Sequence, residues 1–320
     1  DMTITKEKNF ISVVAYMYNN AEQCLTFFTK IGQQLYDNFD NYEVILNNDG
    51  SSDSCLKKIK SGLQNNPYLK QENIINMGKF QGIEAAINAG NDYAIGDFIY
   101  EFDTLIVDYD ITLFIELYNK ALDGYDIVAA TPEKSNKLSS KLFYRLYNST
   151  SREDKLYPET FRIISRRAWN RIKSLSISIP YRKALYLNCG LKKGKIVYKN
   201  PVYQKRSLSL AERKSRFSLA IDSLIIFTNL FERISLGISI FFVFFALCVL
   251  GYTVYIYFGG IKPVEGWAPI MGVLSVSFFG FFALMTVVLK YLSIILKMVF
   301  THQSYLIEST EKLVMESKED

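Results

Sequence analysis

The sequence predicts an α/β domain built on a mostly parallel sheet, followed by interfacial helices and a two-helix transmembrane hairpin. Three observations carry this. Short apolar runs alternate with helical patterns over the first half of the chain, a polar loop follows each early run, and charged residues stop after Arg233. Alternating strands and helices, with strands that are apolar along nearly their whole length, describe a sheet covered on both faces.

Strands are expected at Phe10–Tyr16, Tyr42–Leu46, Asn73–Met77, Asp97–Phe102 and Asp126–Ala130, with helices between them at Ala21–Tyr36, Asp53–Gln64, Gln81–Ala94 and Ile111–Leu122. In the third helix Ile83, Ala86, Ile87, Gly90 and Ala94 share one face. Leu208–Phe231 mixes apolar residues with Arg213, Lys214, Arg216 and Asp222 and reads as amphipathic helix, either lying at a membrane surface or packed on the globular domain. From Ile234 to Ile261, and again from Trp267 to Leu289, there is no Asp, Glu, Lys or Arg except at the connecting loop. Each run reaches the roughly 20 residues that cross a bilayer. Basic residues crowd the segment before the first run, while the loop has only Lys262 against Glu265, which puts both termini in the cytoplasm. The expected organisation is a cytosolic domain over 1–204, juxtamembrane helices over 205–233, membrane helices at about 234–258 and 267–289 within 234–296, and a cytosolic tail over 297–320. Asp1–Lys8 is polar, so no signal peptide is expected ahead of the first strand, and the chain reads as an integral protein of the cytoplasmic membrane.

Composition narrows the chemistry. With 49% hydrophobic and 22% charged residues the chain is neither disordered nor a disulfide scaffold. Its four cysteines form no Cys-x-x-Cys pair and suit a reducing compartment. A single histidine, His302, rules against imidazole metal sites and a Ser-His-Asp triad. Carboxylates, amides, basic side chains or a hard cation must do the work. No Walker loop and no Gly-x-Gly-x-x-Gly occurs. The net charge of +5 gathers toward the membrane end, where anionic headgroups attract it by about 1 kcal/mol per residue. Nucleic acid is not an expected partner, and homo-oligomerisation is left open.

Sites in open α/β sheets collect beyond the carboxyl ends of the strands. Four motifs lie there: Tyr18-Asn19-Asn20; Asn48-Asp49-Gly50-Ser51-Ser52-Asp53; Asn76-Met77-Gly78-Lys79-Phe80-Gln81-Gly82; and Gly96-Asp97 leading through an apolar run to Glu101-Phe102-Asp103. In this order they resemble the family-2 glycosyltransferases of the GT-A fold, and within them the membrane-tethered polyprenyl-phosphate glycosyltransferases, the group that includes dolichol-phosphate mannose synthase. The likeness extends through Phe143–Asn148, Phe161–Arg167, Lys290–Leu292 and Tyr305–Glu308.

That resemblance implies inverting transfer of a sugar from a UDP- or GDP-linked donor to polyprenyl phosphate at the cytoplasmic face, feeding cell-surface glycan synthesis. It implies Mg²⁺ or Mn²⁺ on an Asp-x-Asp motif, and places Tyr18, Asn20, Asp49, Ser51 and Lys79 on the donor. Asp49 has acceptor oxygens for a uracil or ribose. Arg162 matches the arginine of the family's Phe-Arg segment, and Arg206 with Ser207 falls on its diphosphate-contacting loop. Lys141 and Arg145, one helical turn apart, are the other candidates for phosphate or acceptor. Counting from Gly96 puts Asp103, the expected catalytic and metal-binding residue, on the first aspartate of the motif, but Leu105 on the second. Three readings stay open at this point: a shifted Glu101–Asp103 metal pair on one strand face; oxygens from Asp108 or Asp110, which otherwise cap the next helix; or a site that holds no metal strongly. Leu105, Asn20 and Asn48 also keep alive a second class of function, a membrane-anchored pseudoenzyme that acts by scaffolding or regulation. A processive polysaccharide synthase is disfavoured, because two membrane helices offer no channel.

Overall fold

The computed structural model describes residues 6–63, 66–68, 72–133, 138–150, 155–175, 181–199, 209–228, 230–258, 266–300 and 305–313. Five strands fall where the alternation puts them: β1 (Ile11–Met17), β2 (Tyr42–Asn48), β3 (Glu72–Met77), β4 (Phe98–Phe102) and β5 (Ile127–Pro132). Between them run α1 (Ala21–Asn38), α2 (Asp53–Leu63), α3 (Ile83–Tyr93) and α4 (Leu113–Leu122). Then follow α5 (Leu138–Thr150), β6 (Phe161–Ser165), α6 (Arg166–Leu175), α7 (Arg182–Asn188), β7 (Lys193–Tyr198), α8 (Leu210–Phe227), α9 (Leu230–Phe258), α10 (Trp267–Phe300) and β8 (Ile307–Leu313).

The eight strands form one sheet in the order β7-β5-β6-β4-β1-β2-β3-β8. β4, β1, β2 and β3 are mutually parallel, while β6 and β8 insert antiparallel to their neighbours. Because successive strand side chains point to opposite faces, two apolar layers result. Val13, Ala15, Leu46, Tyr100 and Phe102 pack with Phe27, Phe28, Phe114 and Leu117 of α1 and α4. Val14, Tyr16, Ile45 and Ile99 face the other way and pack with Ala86, Ile87, Trp169 and Tyr186 of α3, α6 and α7.

The chain divides into two compact units, one of residues 1–149, 153–220 and 302–320, the other of 150–152 and 221–301. In the second unit, α9 and α10 pack with Gly280 against the ring of Phe242, where a Cβ would have no room. Among the described residues one stretch, Gly272–Leu292 in α10, is long and apolar enough to cross a membrane, and the apolar stretch picked out of α9, Arg233–Phe242, is shorter. The segment 305–313, expected to be part of a plain tail, instead supplies β8 to the edge of the sheet beside β3.

Candidate active site

Strand register gathers the motif loops at one edge of the sheet. Met17 is aligned with Asn48, Asn48 with Asn76, and Ala15 with Phe102, so β1 to β4 end side by side. The loops are then stapled together. Asn19, at φ +53°, donates its backbone N–H to Ser51 Oγ at 2.9 Å and accepts from the Ser52 N–H at 3.0 Å. Asn48 donates to Asn76 Oδ1 at 2.9 Å and accepts from the Ser51 N–H at 3.0 Å. Gly50 is required here: its φ is +72°, and a Cβ would lie 2.9 Å from the Phe80 nitrogen.

Asp49 is fully buried at this junction. Its carboxylate accepts the backbone N–H groups of Gln81 at 2.7 Å and Gly82 at 2.9 Å, and the Tyr16 hydroxyl at 3.2 Å. Burial raises its pKa above the ordinary carboxylate value, while the N–H donors and Tyr16 pull it back down. Both oxygens face inward, so Asp49 ties the loop after β3 to the end of β2 instead of presenting a free acceptor to a ligand. Tyr18 and Phe80 set their rings 4.9 Å apart, and Lys79 is exposed.

The centre of the site is an ion cluster on the α3/α6/α7 face of the sheet. Glu101 in β4 lies across from Arg162 in β6, and α7 lays Arg182 between the carboxylates. Arg162 donates to Glu101 Oε2 at 2.6 Å, to Glu159 at 2.8 Å and to Asp103 Oδ2 at 3.4 Å. Arg182 donates to Glu84 at 2.9 Å, to the same Glu101 oxygen at 2.7 Å and to Asp103 Oδ1 at 2.9 Å. The other Glu101 oxygen accepts from Asn91 at 2.5 Å and from the Tyr186 hydroxyl. Lys183 completes the group, 3.1 Å from Asp103 Oδ2. Burial by itself would raise the pKa of Asp103, but Lys183, Arg162 and Arg182 outweigh it and hold the carboxyl well below its usual range.

The profile of Glycosyl transferase family 2 matches residues 12–176, more than half of the chain. The chain belongs to glycosyl transferase family 2. An uncharacterized glycosyltransferase of Synechocystis is 31% identical over 203 residues, covering 61% of this chain and 62% of that protein. The putative glycosyltransferase CsbB of Bacillus subtilis is 26% identical over 231 residues, covering 70% and 68%. The chain thus spans about three fifths to two thirds of the length of the curated relatives it matches. Among solved structures, glucosyl-3-phosphoglycerate synthase of Mycobacterium tuberculosis, in complex with Mn²⁺, uridine-diphosphate-glucose and phosphoglyceric acid, superposes with a TM-score of 0.52. It is 16% identical and covers 68% of this chain and 79% of its own, a likeness that establishes the GT-A-like fold.

In this family 2 glycosyltransferase the acidic centre does not fit a divalent ion. Leu105, which the resemblance puts on the second aspartate position, is 3% exposed and part of the apolar core. Glu101 is wholly buried with both oxygens taken by Arg162, Arg182, Asn91 and Tyr186, which corrects the expectation of a Glu101–Asp103 metal pair. Asp110 caps its own turn, accepting from the Thr112 backbone N–H at 2.9 Å and hydroxyl at 2.8 Å, and Asp108 lies against Tyr198. Among the described residues no group of three acidic, cysteine or histidine side chains is arranged to hold a metal ion. Asp103 is part-exposed at the surface of the cluster, and three cations already surround it.

The remaining expectations divide. Arg162 is fully buried and spent on three carboxylates, so it anchors the cluster and has no free edge for a phosphate. Lys141 and Arg145 are exposed on α5. Arg206 and Ser207 lie outside the described residues. Arg182 and Lys183 went unnoticed in sequence, although a glutamate inside the apolar strand FIYEF signals that buried cations must meet it.

Proposed function

We propose that the protein transfers one sugar, with inversion, from a nucleotide sugar to polyprenyl phosphate at the cytoplasmic face of a membrane. The observation that carries the reading is the order of parts in one chain. A family 2 domain with its motif loops on one sheet edge is followed by an apolar helix of membrane length, an arrangement that suits a lipid-borne acceptor. The return of the chain to β8 supports the N-in, C-in orientation. Residues before and after the apolar unit belong to one sheet, so a chain that crosses a membrane between them crosses an even number of times.

In this reading Tyr18, Asn20, Ser51 and Lys79 rim the donor, with Asp49 shaping their loops from below. Lys141 and Arg145, with Arg206 and Ser207, draw in the lipid phosphate. An oxygen of that phosphate is already ionised near neutral pH. It attacks the anomeric carbon as the bond to the nucleoside diphosphate breaks, and no general base is needed. The chemical demand is stabilisation of the departing diphosphate, which falls to the basic residues around Asp103.

The test is incubation of the full-length protein in membranes with UDP- and GDP-sugars and polyprenyl phosphate, with glycolipid read by mass spectrometry. Glycolipid formation supports the reading. Absence of both product and nucleotide binding supports the membrane-anchored pseudoenzyme, which the apolar Leu105 favours.

A further inference from the structure

Within the cluster the three cations are not equivalent. The side chains of Arg162 and Arg182 are 0% exposed, whereas Lys183 is 11% exposed beside Asp103 at 15%. Glu101, wholly buried, and Glu84 and Glu159 neutralise the two guanidinium groups, so among the three cations Lys183, paired with Asp103, is the one open to a ligand. The ammonium group is met by two acceptors among the described residues, Asp103 Oδ2 at 3.1 Å and the Glu159 carbonyl at 3.4 Å, for its three N–H donors. A divalent ion placed on Asp103 would meet three positive groups. An anion that displaces Asp103 from Lys183 meets that ammonium group directly, with Arg162 and Arg182 held beside it by Glu84, Glu101 and Glu159.

We propose that Lys183, backed by Arg162 and Arg182, binds the donor diphosphate directly in place of a metal ion, with Asp103 as the counter-ion the diphosphate displaces. The substitution is chemically economical. A metal on an Asp-x-Asp pair sets a localised positive charge against the diphosphate. Here the Lys183 ammonium supplies that localised charge, and Leu105 at the position the resemblance gives the second aspartate joins the core. Asp103 then competes with the ligand for Lys183 instead of recruiting a cation for it. This inference rests on the nucleotide-sugar reading but not on the lipid acceptor.

Calorimetric titration of the full chain in detergent with UDP, GDP and inorganic pyrophosphate, in EDTA and again in Mn²⁺, tests it. Nucleoside diphosphate should bind in EDTA, and Mn²⁺ should change the affinity little. A charge-assisted hydrogen bond is lost in Lys183→Gln, which should weaken binding by at least about tenfold, while Lys183→Arg retains it. Asp103→Asn removes the competitor and should tighten pyrophosphate binding by about tenfold, where a metal-carrying aspartate would lose it. Paramagnetic resonance should detect no Mn²⁺ on the protein alone. Binding that appears only with Mn²⁺, or indifference of affinity to both Lys183→Gln and Asp103→Asn in variants that melt like the parent, overturns the proposal. If diphosphate binds in EDTA but no glycolipid forms, the acceptor reading falls and this one stands. Glycolipid made only with Mn²⁺ does the reverse, and no diphosphate binding under either condition removes both.

Discussion

Replacing Arg182 with methionine keeps most of the side-chain volume and removes one guanidinium from a wholly buried position. That group donates to Glu84 at 2.9 Å, Glu101 at 2.7 Å and Asp103 at 2.9 Å. The cluster holds the carboxylates of Glu84, Glu101, Asp103 and Glu159 against Arg162, Arg182 and Lys183, so the variant leaves four negative groups facing two positive ones. Removing one partner from a buried pair costs about 3–5 kcal/mol, because the other charge stays desolvated. At about 2–4 °C per kcal/mol for a domain of this size, the melting temperature should fall by about 10 °C. Urea unfolding of the full chain in detergent, followed through Trp169 in a Trp267→Phe background, reads the sheet domain. A Glu101→Gln change added to Arg182→Met should cost less than the sum of the two, because it removes a charge the first change stranded. The pH dependence has a definite sign. Asp103 has a folded-state pKa below its unfolded one, so its contribution is present above about pH 4 and is lost as pH falls toward the folded value. The variant has less of this contribution to lose, so its deficit should narrow on acidification. A loss under about 1 kcal/mol, or strict additivity with Glu101→Gln, would refute a buried, mutually dependent network.

Asp49→Ala strands the N–H groups of Gln81 and Gly82 and should cost about 2–6 kcal/mol at about 1–3 each. Faster hydrogen exchange over 78–82 should accompany the loss, whereas full stability with weakened nucleotide binding would return Asp49 to direct donor contact. Glu72, opposite Leu313 in the β3–β8 pairing, has its pKa pushed up to about 8 by burial. Its protonated form is the one the fold prefers, so the stability it contributes is full below the ordinary carboxylate range and is lost as pH rises to about 8. The protection of β8 amides, relative to their intrinsic exchange rates, should fall between about pH 5 and pH 8, and Glu72→Gln should erase that dependence.

The sequence by itself determined the parallel core, the motif loops and the apolar C-terminal helix, because each rests on local signals. A strand such as ISVVAYM is apolar on both faces and is followed by turn chemistry, and that pattern survives any tertiary context. It also raised the question of Leu105, which the resemblance puts on the second aspartate of the motif. Where the ends of the chain pair was not legible. IESTEKL is polar and alternates weakly, and it becomes β8 because β3 offers an open edge and Gln81 clasps Leu306 at 2.7 and 2.8 Å. The fate of the carboxylates also belonged to the tertiary structure alone. Glu101 and Asp103 look equivalent as alternate residues of one strand. One is sealed under α7 by Arg162 and Arg182, and the other emerges beside Lys183. A charge can stay in the interior only if counter-charges arrive from elsewhere in the chain. Arg162 and Arg182, 61 and 81 residues further on, are brought to Glu101 by an antiparallel strand and a short helix. Spacing within a motif cannot show which carboxylate those residues will claim, and only the folded sheet decides it.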